Sequence, residues 1–364
     1  MNRLRLVNTN RVLIYRLGSI GDAVVALPAF RMIARAFPRA ERRILTNVPV
    51  SEKAAPLQTV LARTGLVHGY ICYPLKTRSV SELGRVRSEI RQWGPDVLVY
   101  LAAPRGVLGA VRDMLFFRFC GIRRIIGVPL SSDLQVHRKL EDEGRYESEA
   151  SRLARCVAKL GDTQLDHPES WDLALTAEES EKANSILADW SGRERFLAAS
   201  IGTKAQTNDW GVENWRALAA RVSTFEPQLG LVMVGSMDEV SASQSLLEEW
   251  RGPVLNTCGR LNPRESAAVI RRSVMFMGHD SGPMHLAAAS GIPCVAIFSA
   301  RNRPGVWFPH GPGHRVIYHQ TECFGCGLDV CVEHQKKCIR SICVNEVSDA
   351  VFDLLKSGIS ASNA

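Results

Sequence analysis

The stretch from Ser273 to Ser299, SVMFMGHDSGPMHLAAASGIPCVAIFS, constrains the fold of this chain more than any other part of the sequence. An apolar run, Val274 to Met277, breaks at Gly278 into a short polar loop, His279 to Gly282, and Pro283 then leads into a small-residue segment, Met284 to Ala289. Glycine and proline end that segment before a second apolar run, Cys294 to Phe298. The order predicted is strand, loop, helix, strand, which is typical of an α/β fold.

The polar loop in this stretch combines groups that suit an anionic ligand. Asp280 supplies a carboxylate, Ser281 a hydroxyl and Gly282 an open backbone, and His285 lies one helical turn further on. Free N–H groups and the positive end of the helix dipole attract phosphate at such a point. The alternative is that Asp280 or Ser281 only caps a packed helix. The residues alone leave both interpretations open.

Strand-like runs alternate with helical patterns along the whole chain. Arg11 to Arg16 and Val97 to Ala102 are such runs in the first half, and Phe196 to Gly202 and Gly230 to Gly235 in the second. This alternation is typical of parallel sheets that are covered on both faces. A chain of 364 residues also exceeds the usual size of one core. We therefore predict two α/β domains with parallel sheets that face a central cleft.

The predicted boundary between the domains lies in a polar stretch from about Gly161 to Glu181, where Thr176-x-x-Glu179 resembles a capping box. The prediction is an N-terminal domain over 1–170, a second domain over 171–346 that includes a cysteine-rich segment at 323–343, and a C-terminal helix and tail over 347–364.

Charge and hydropathy indicate a cytoplasmic protein with acidic partners. No run approaches the ~20 apolar residues that span a bilayer, and the N-terminus lacks a signal-peptide core. The formal net charge is +8, which favours a phosphorylated substrate or an anionic membrane surface. Nucleic acid ranks last, because no nucleic-acid-binding module is present. Arg31, Arg35 and Arg39 align along one helix face, for which a solvated surface is the simpler interpretation.

A second candidate loop, Gly18-Ser19-Ile20-Gly21-Asp22, follows the first strand-like run. Two glycines allow close approach of a ligand, and the Asp22 carboxylate could take a proton from an attacking hydroxyl. The competing role for Asp22 is to cap the next helix. The glycine spacing does not match a dinucleotide fingerprint and no Walker P-loop is present, which weighs against a dehydrogenase or a kinase.

A third candidate loop, from Gly202 to Trp210, follows the first strand of the second domain. Thr203, Lys204 and Asn208 could contact phosphate oxygens while Trp210 packs beneath the loop. A solvated loop with a tryptophan anchor fits the same residues.

In this order and spacing, RLGSIGDAVVALPAFRMIARAFPRA, the loop ending at Trp210 and HDSGPMHLAAASGIPCVAIF resemble the ADP-heptose lipopolysaccharide heptosyltransferases, glycosyltransferase family nine. The resemblance runs from about Arg11 to Val347, and Asp280 to His285 is its most specific part. It implies a GT-B architecture of two Rossmann-like domains, with the sugar nucleotide in the C-terminal one and the acceptor in the N-terminal one. It also implies inverting transfer without a metal-binding Asp-x-Asp, a motif that this sequence does not contain.

The resemblance also assigns roles to residues. Asp22 would be the general base on the acceptor hydroxyl. The candidate acceptor-binding residues are Gly18, Ser19, Gly21 and, by position only, Arg105. The candidate donor-binding residues are Thr203, Lys204, Asn208, Glu239, Asp280, Ser281, Gly282 and His285. Within these, Asp280 to Gly282 would hold the sugar and diphosphate, and Glu239 the ribose. No metal ion and no cofactor are predicted.

Two positions depart from the family pattern. Asn208 stands where family members often carry Lys, so a phosphate-neutralising charge is missing there, and Lys204 is the candidate substitute. His279 replaces the Asn commonly found before the Asp. Both departures leave the identity of the donor open.

Five of the ten cysteines are grouped at the end of the second domain, at Cys323, Cys326, Cys331, Cys338 and Cys343. Cys-x-x-Cys with further Cys nearby is compatible with a zinc site, although the second Cys-x-x-Cys pair is missing. The alternative is a structural segment of reduced thiols, since disulfides are rare in the cytosol.

The sequence thus predicts an inverting, metal-independent glycosyltransferase that moves heptose or a related sugar from an ADP-linked donor to a lipopolysaccharide core or similar lipid-linked glycan. Its predicted location is the cytoplasm, with peripheral contact at the anionic inner membrane. The alternatives are a catalytically silent sugar-nucleotide-binding protein of the same fold and a family member that uses a different nucleotide sugar. A two-domain oxidoreductase is disfavoured by the missing glycine fingerprint.

Overall fold

The computed structural model describes residues 9–48, 55–74, 79–141 and 144–362, the last five of these by backbone only. Arg3 and Arg5, which contribute to the net charge, lie outside the described residues. The chain divides into two compact units, Met1–Asp172 and Leu173–Ala364. Each unit is built on a parallel sheet, so the prediction of two α/β domains is confirmed.

The first unit contains a five-stranded parallel sheet in the order β3-β2-β1-β4-β5. Its strands are β1 (Arg11–Tyr15), β2 (Glu41–Asn47), β3 (Gly69–Tyr73), β4 (Val97–Tyr100) and β5 (Arg124–Ile126). Its helices are α1 (Ile20–Val24), α2 (Leu27–Ala36), α3 (Gln58–Leu61), α4 (Val80–Trp93), α5 (Gly106–Phe119), α6 (Ser132–Gln135) and α7 (Glu149–Val157). The strand order reverses between β1 and β4, and ligands of open α/β sheets bind at such a switch point.

The apolar runs form strands because both faces of the sheet are covered. Val12, Leu13 and Ile14 of β1 are completely buried, as expected for the centre of a parallel sheet. After β1 the chain forms two helices rather than one, since α2 begins at Leu27 with Pro28 in its first turn. Proline is tolerated there because its missing N–H would have no partner within the helix.

The second unit contains a six-stranded parallel sheet in the order β11-β10-β9-β6-β7-β8. Its strands are β6 (Phe196–Ser200), β7 (Gly230–Met233), β8 (Val254–Asn256), β9 (Met275–His279), β10 (Cys294–Phe298) and β11 (Arg315–Tyr318). Its helices are α8 (Ala177–Leu187), α9 (Val212–Phe225), α10 (Val240–Leu247), α11 (Pro263–Ile270), α12 (Gly282–Ala289), α13 (Lys337–Arg340) and α14 (Val344–Ser362). The strand order reverses between β9 and β6, where Ser200 lies opposite Gly278.

The start of α8 and the packing of α14 are two details of the second unit near the predicted domain boundaries. The predicted capping box is confirmed, because the Thr176 hydroxyl accepts from the Glu179 N–H and the Glu179 carboxylate accepts from the Thr176 N–H at the start of α8. Helix α14 begins at Val344 and packs on α9, where Phe352 stacks on Phe225 at 4.2 Å. The C-terminal helix therefore packs within the second unit.

The basic stripe on α2 is partly used inside the first unit. Arg31 donates to the backbone oxygen of Asp172, and Arg35 donates to that of Asp162 at 3.0 Å. Arg35 stays exposed, as expected for a solvated face, whereas Arg31 is half-buried. Both side chains fasten the segment before the unit boundary to α2. Arg39 is exposed.

Candidate active site

The loop after β1 places the Asp22 carboxylate at the switch point of the first sheet. Helix α1 begins at Ile20 with Ser19 as its N-cap, and Asp22 Oδ2 accepts from the Ser19 N–H at 2.9 Å. Gly18 has φ +119°, and a Cβ there would lie 2.2 Å from Asp22 Cγ. Two constraints therefore require glycine at position 18. One is its positive φ, and the other is the Asp22 carboxylate, which leaves no room for a Cβ.

A buried arginine holds Asp22 from the other side. Arg16 Nη2 donates to the Asp22 backbone oxygen at 3.0 Å and lies 3.5 Å from Asp22 Oδ1. The Arg16 side chain is 1% exposed, whereas that of Asp22 is 31% exposed. The carboxylate is thus fixed in position and still accessible to a ligand.

Arg16 is itself fixed by a buried network. Its Nη1 donates to Glu149 Oε1 at 3.1 Å, and Glu149 also accepts two bonds of 2.7 Å from Arg152 and lies 3.0 Å from His137. Burial by itself raises the pKa of Glu149, but the hydrogen bonds from Arg152 and His137 and the charge of Arg16 outweigh it and hold that pKa well below its usual range. No local sequence pattern indicates this network, because Arg16 lies 133 residues before Glu149.

Arg105 lies at the same edge of the first sheet, at the start of α5 and after β4. Its Nη1 donates to the Tyr15 hydroxyl at 3.2 Å and lies 3.6 Å from Asp113 Oδ2. The Tyr15 hydroxyl is 3.2 Å from that of Tyr73, and Tyr100 donates to Asp113 at 2.9 Å. Burial raises the pKa of Tyr15 well above its usual value, so its hydroxyl stays protonated at neutral pH. The contacts with Tyr15 and Asp113 hold the Arg105 guanidinium at the carboxyl edge of the sheet, where its side chain is 34% exposed.

Sequence reasoning missed Tyr15, Tyr73 and Asp113. The available signal was that both tyrosines end a strand, which is where the ligands of an α/β sheet are bound.

In the second unit the loop after β9 carries a hydroxyl without a partner. Ser281 is the N-cap of α12, yet its Oγ is buried and has no hydrogen-bond partner among the described residues. Asp280 beside it is 11% exposed, and its Oδ2 accepts from Asn302 Nδ2 at 3.2 Å. A buried hydroxyl in this state loses free energy unless a ligand or water bonds to it. The predicted loop is therefore a polar cradle at a helix N-terminus.

His279 lies in β9 and not in the polar loop, which corrects the predicted boundary. Its side chain is fully buried, and Nε2 accepts from the Trp210 N–H at 3.2 Å and from Trp215 Nε1 at 3.1 Å. Burial lowers the pKa of His279 to about 4, so the ring is a neutral acceptor. Its observed role is to join β9 to the Gly202–Trp210 loop and to α9.

Asn208 is also buried and bonded within the unit. Its Nδ2 donates to the Asp280 backbone oxygen at 3.2 Å, and its Oδ1 accepts from Ser299 Oγ at 2.5 Å. The amide therefore links the Gly202–Trp210 loop to Asp280 rather than facing solvent. Trp210 is buried beneath this loop, as predicted, with its indole N–H bonded to the Ile342 oxygen at 2.9 Å.

The other predicted donor-side residues flank β6 and β7. Thr203 Oγ1 donates to the Ala205 oxygen at 3.2 Å, and Lys204 is exposed. The Glu239 carboxylate lies against the backbones that follow the two strands, because a Cβ on Gly202 or Gly235 would come within 2.0 or 2.3 Å of it. Glu239 Oε1 accepts from Ser236 Oγ at 2.9 Å, while its Oε2 is buried without a partner among the described residues.

His285 lies in α12 behind the same cradle. Its Nε2 is 3.9 Å from Asp280 Oδ1, and its ring lies 6.1 Å from that of Trp307. Burial lowers the pKa of His285 to about 4. The ring is therefore neutral at physiological pH and packs behind Asp280.

The two buried histidines predict a pH dependence for the second unit. In the unfolded chain each titrates near pH ~6.5, and in the folded chain near about 4. Between these values the unfolded state binds more protons, so stability falls as pH falls, by up to ~1.4 kcal/mol per pH unit for each histidine. We expect thermal melts followed by tryptophan emission to show this slope, and His285→Asn to reduce it by about half. Exposed His334, changed to Asn, is the control, and a His285→Asn curve parallel to wild type would contradict the assignment.

The cysteine-rich segment contacts the Gly202–Trp210 loop. Thr207 donates through its backbone N to the Asp329 oxygen at 3.2 Å, and Lys336 Nζ donates to the Asp209 oxygen at 2.8 Å. All ten cysteines are free thiols. Within the described ranges, no three His, Cys, Asp or Glu side chains are grouped closely enough to hold a metal ion. The contacts that the structure gives this segment are those of a support for the loop.

The candidate residues thus form two groups, one in each unit. At the carboxyl edge of the first sheet lie Gly18, Ser19, Gly21, Asp22 and Arg105. At that of the second lie Thr203, Lys204, Asn208, Glu239, Asp280, Ser281, Gly282 and His285. No helix in the described part of the chain has the length and hydropathy of a membrane span.

The family model and the curated relatives that this chain matches are all described as heptosyltransferases. Residues 109–337 match the family model described as glycosyltransferase family 9 (heptosyltransferase). The chain is 22% identical over 132 residues to the lipopolysaccharide core heptosyltransferase OpsX of Haemophilus influenzae, covering 36% of this chain and 37% of that protein. It is 25% identical over 114 residues to lipooligosaccharide heptosyltransferase 2 of Campylobacter jejuni, covering 31% of this chain and 35% of that one. The matched regions thus span little more than a third of each curated relative.

Solved structures share the fold over nearly the whole chain. The family 9 glycosyltransferase of Veillonella parvula superposes with a TM-score of 0.72 at 18% identity, covering 96% of this chain and 98% of that one. The ADP-heptose lipopolysaccharide heptosyltransferase II of E. coli superposes with a TM-score of 0.65 at 17% identity, covering 95% and 99%. At these identities the likeness is one of fold.

Proposed function

The chain belongs to glycosyltransferase family 9, the heptosyltransferase family, and from this premise we propose that it transfers heptose or a related sugar from an ADP-linked donor to a lipopolysaccharide core or similar lipid-linked glycan. The observation that carries the proposal is the Asp22 carboxylate, which is fixed by Ser19 and Arg16 and still 31% exposed at the switch point of its sheet. The same carboxylate accepts from the N-cap N–H of α1, and its exposure leaves it able to act on a bound acceptor as well.

In the proposed reaction Asp22 acts as general base on the acceptor. It takes the proton of the acceptor hydroxyl while that oxygen attacks the anomeric carbon of the donor sugar. The bond from that carbon to the diphosphate oxygen breaks, and attack opposite the leaving group inverts the configuration. Arg105, presented by Tyr15 and Asp113 at the same edge, binds an anionic or hydroxyl group of the acceptor.

On the donor side, α12 provides the charge stabilisation that the departing nucleoside diphosphate needs. The Ser281 hydroxyl and the Gly282 N–H bind phosphate oxygens at the positive end of the helix. Asp280, held by Asn208 and Asn302, binds sugar hydroxyls, and Glu239 binds the ribose. Exposed Lys204 supplies the cation that Asn208 does not. These hydrogen-bond donors and the Lys204 cation support a transfer mechanism in which no metal ion is required.

The proposed location is the cytoplasmic face of an anionic membrane. The relatives named above are a lipopolysaccharide core and a lipooligosaccharide heptosyltransferase, and a lipid-linked acceptor of that kind resides in a membrane. The net charge of +8 is favourable for this surface.

The test combines donor binding with transfer. Thermal shifts with ADP-, GDP-, UDP- and dTDP-linked sugars identify the donor, because a ligand that binds the folded state raises the melting temperature. Radiolabelled sugar transfer to lipopolysaccharide core acceptors then measures the activity. Donor binding without transfer to any acceptor would establish the silent binding protein instead, and stabilisation only by a non-adenine sugar nucleotide would exclude an ADP-linked donor.

Ser281→Ala is expected to weaken ADP binding by about ten- to a hundredfold, because the variant loses a hydrogen bond to a charged group. Ser290→Ala is a matched control, since Ser290 at the other end of α12 also has a buried hydroxyl without a partner among the described residues. Calorimetric titration with ADP measures both. Equal weakening by the two substitutions would place the diphosphate elsewhere.

A further inference from the structure

Helix α5 is apolar on two opposite faces. Ala110 and Phe117 are buried against the first sheet. Leu108, Leu115 and Phe119, at a spacing of seven and four residues, lie on the other side of the helix and are 87%, 49% and 67% exposed. A helix that is apolar all round is normally covered on both sides. Within the described part of the first unit, nothing covers this second face, whose residues Leu108, Arg112, Leu115 and Phe119 we term the α5 outer face.

The two exposed charged side chains of α5 are both arginines. Arg112 lies on the outer face with its side chain 69% exposed, and Arg118 is exposed beside it. Asp113, the one carboxylate of the helix, is buried and accepts from Tyr100 and Arg112. The outer face is therefore an apolar stripe without an exposed acid, next to Arg118 and to the exposed Arg112 guanidinium, which also bonds to Asp113.

The segment after β5 is tied to the start of α5 and also carries exposed apolar side chains. The Gly106 N–H donates to Gln135 Oε1 at 3.1 Å and so ties the segment after β5 to the start of α5. Leu130 and Val136 in that segment are 44% and 48% exposed. Asp133, the acidic residue there, is paired with Arg138 and Arg155. Two further exposed apolar side chains thus lie in the segment tied to the start of α5, and the acid of that segment is already paired.

We propose that the α5 outer face docks on an anionic lipid surface. Apolar side chains of an interfacial helix bury in the headgroup region while flanking arginines bond to phosphate, their stems lying along the apolar surface. A second copy of the chain fits less well, because a two-fold contact would bring Arg112 and Arg118 towards their own equivalents without an acid between them. Charge complementarity therefore selects the lipid.

Docking in this way has a consequence that rests on the proposed function. Arg105 immediately precedes α5 and lies at the carboxyl edge with Tyr15. A membrane that contacts the outer face lies next to the proposed acceptor-binding edge, where a lipid-linked acceptor is presented.

Vesicle flotation of the full chain tests the proposal without donor or acceptor. We expect wild type to float with vesicles of phosphatidylcholine and phosphatidylglycerol, weakly with phosphatidylcholine alone, and less at high salt. Leu108→Gln/Phe119→Gln should lower the partition coefficient by about tenfold or more. The matched control is Val330→Gln/Val332→Gln, which changes two residues of similar exposure, 59% and 79%, in the second unit.

The outcomes are separable from those of the transfer assay. Asp22→Asn should float like wild type, so a loss of transfer does not affect this test. Flotation of Leu108→Gln/Phe119→Gln at the wild-type level, with normal thermal melts, overturns the proposal. A wild-type dimer in light scattering that the double substitution dissociates, with no vesicle binding by either protein, assigns the face to a second copy instead.

Discussion

Asp22→Asn is expected to reduce the rate of sugar transfer by about 10²- to 10⁴-fold, the usual contribution of a general base. Asparagine keeps the shape of the side chain and an oxygen that can accept from the Ser19 N–H, the bond that Asp22 makes at the start of α1. The fold of the loop should therefore survive while the proton acceptor is lost. Initial rates at saturating donor and acceptor measure the effect.

Glu82→Gln provides the matched control for this substitution. Glu82 occupies the same third position of α4, after the N-cap Ser79, and lies in no proposed site. The ADP affinity of Asp22→Asn should equal that of wild type, because the proposed donor residues lie in the other unit. Retention of most of the transfer rate would remove Asp22 from the mechanism, and a parallel loss of ADP binding would indicate a structural role.

Glu149→Ala should destabilise the first unit by about 3–5 kcal/mol, as expected when one partner of a buried ion pair is removed. The side chains of Arg16 and Arg152 are 1% and 0% exposed. The substitution leaves Arg152 buried without its carboxylate and Arg16 with Asp22 alone, at 3.5 Å. Hydrogen exchange of peptides that contain β1 and β4 reports the stability of this unit separately.

The pH dependence of this effect has a defined sign. The pKa of Glu149 is held below its usual range, so its contribution is complete above the unfolded pKa of ~4.3 and is lost only as pH falls further towards the folded value. The difference between wild type and Glu149→Ala should therefore be constant from pH 8 to 5. Glu89→Ala, which removes an exposed pair with Arg85, should change stability by less than ~1 kcal/mol. Equal effects of the two substitutions would show that the buried network contributes little.

The alternation of strands and helices could be predicted because parallel strands that are buried on both faces form continuous apolar runs in the sequence. Local signals were equally informative where one residue acts on its neighbours, as at the capping box of Thr176 and Glu179. His279 misled because a polar residue after an apolar run suggests a loop. Its ring continues β9 instead, since burial keeps it neutral and two N–H groups from Trp210 and Trp215 satisfy it.

The supports of the candidate site could not be predicted, because their partners are distant in sequence. The position of Asn208 in a loop predicts a contact with the ligand. In the fold its side chain bonds instead to Asp280 and Ser299. Arg16 bonds to Glu149, 133 residues later. The outer face of α5 was hidden for a different reason, since an all-round apolar helix suggests a buried one.

The division at Asp172–Leu173 has a consequence for how such proteins diversify. Every proposed acceptor residue precedes that peptide bond and every proposed donor residue follows it. A single recombination event there exchanges one complete specificity and leaves the other intact. Chimeras between family members joined at this point are therefore a direct route to new combinations of sugar and acceptor.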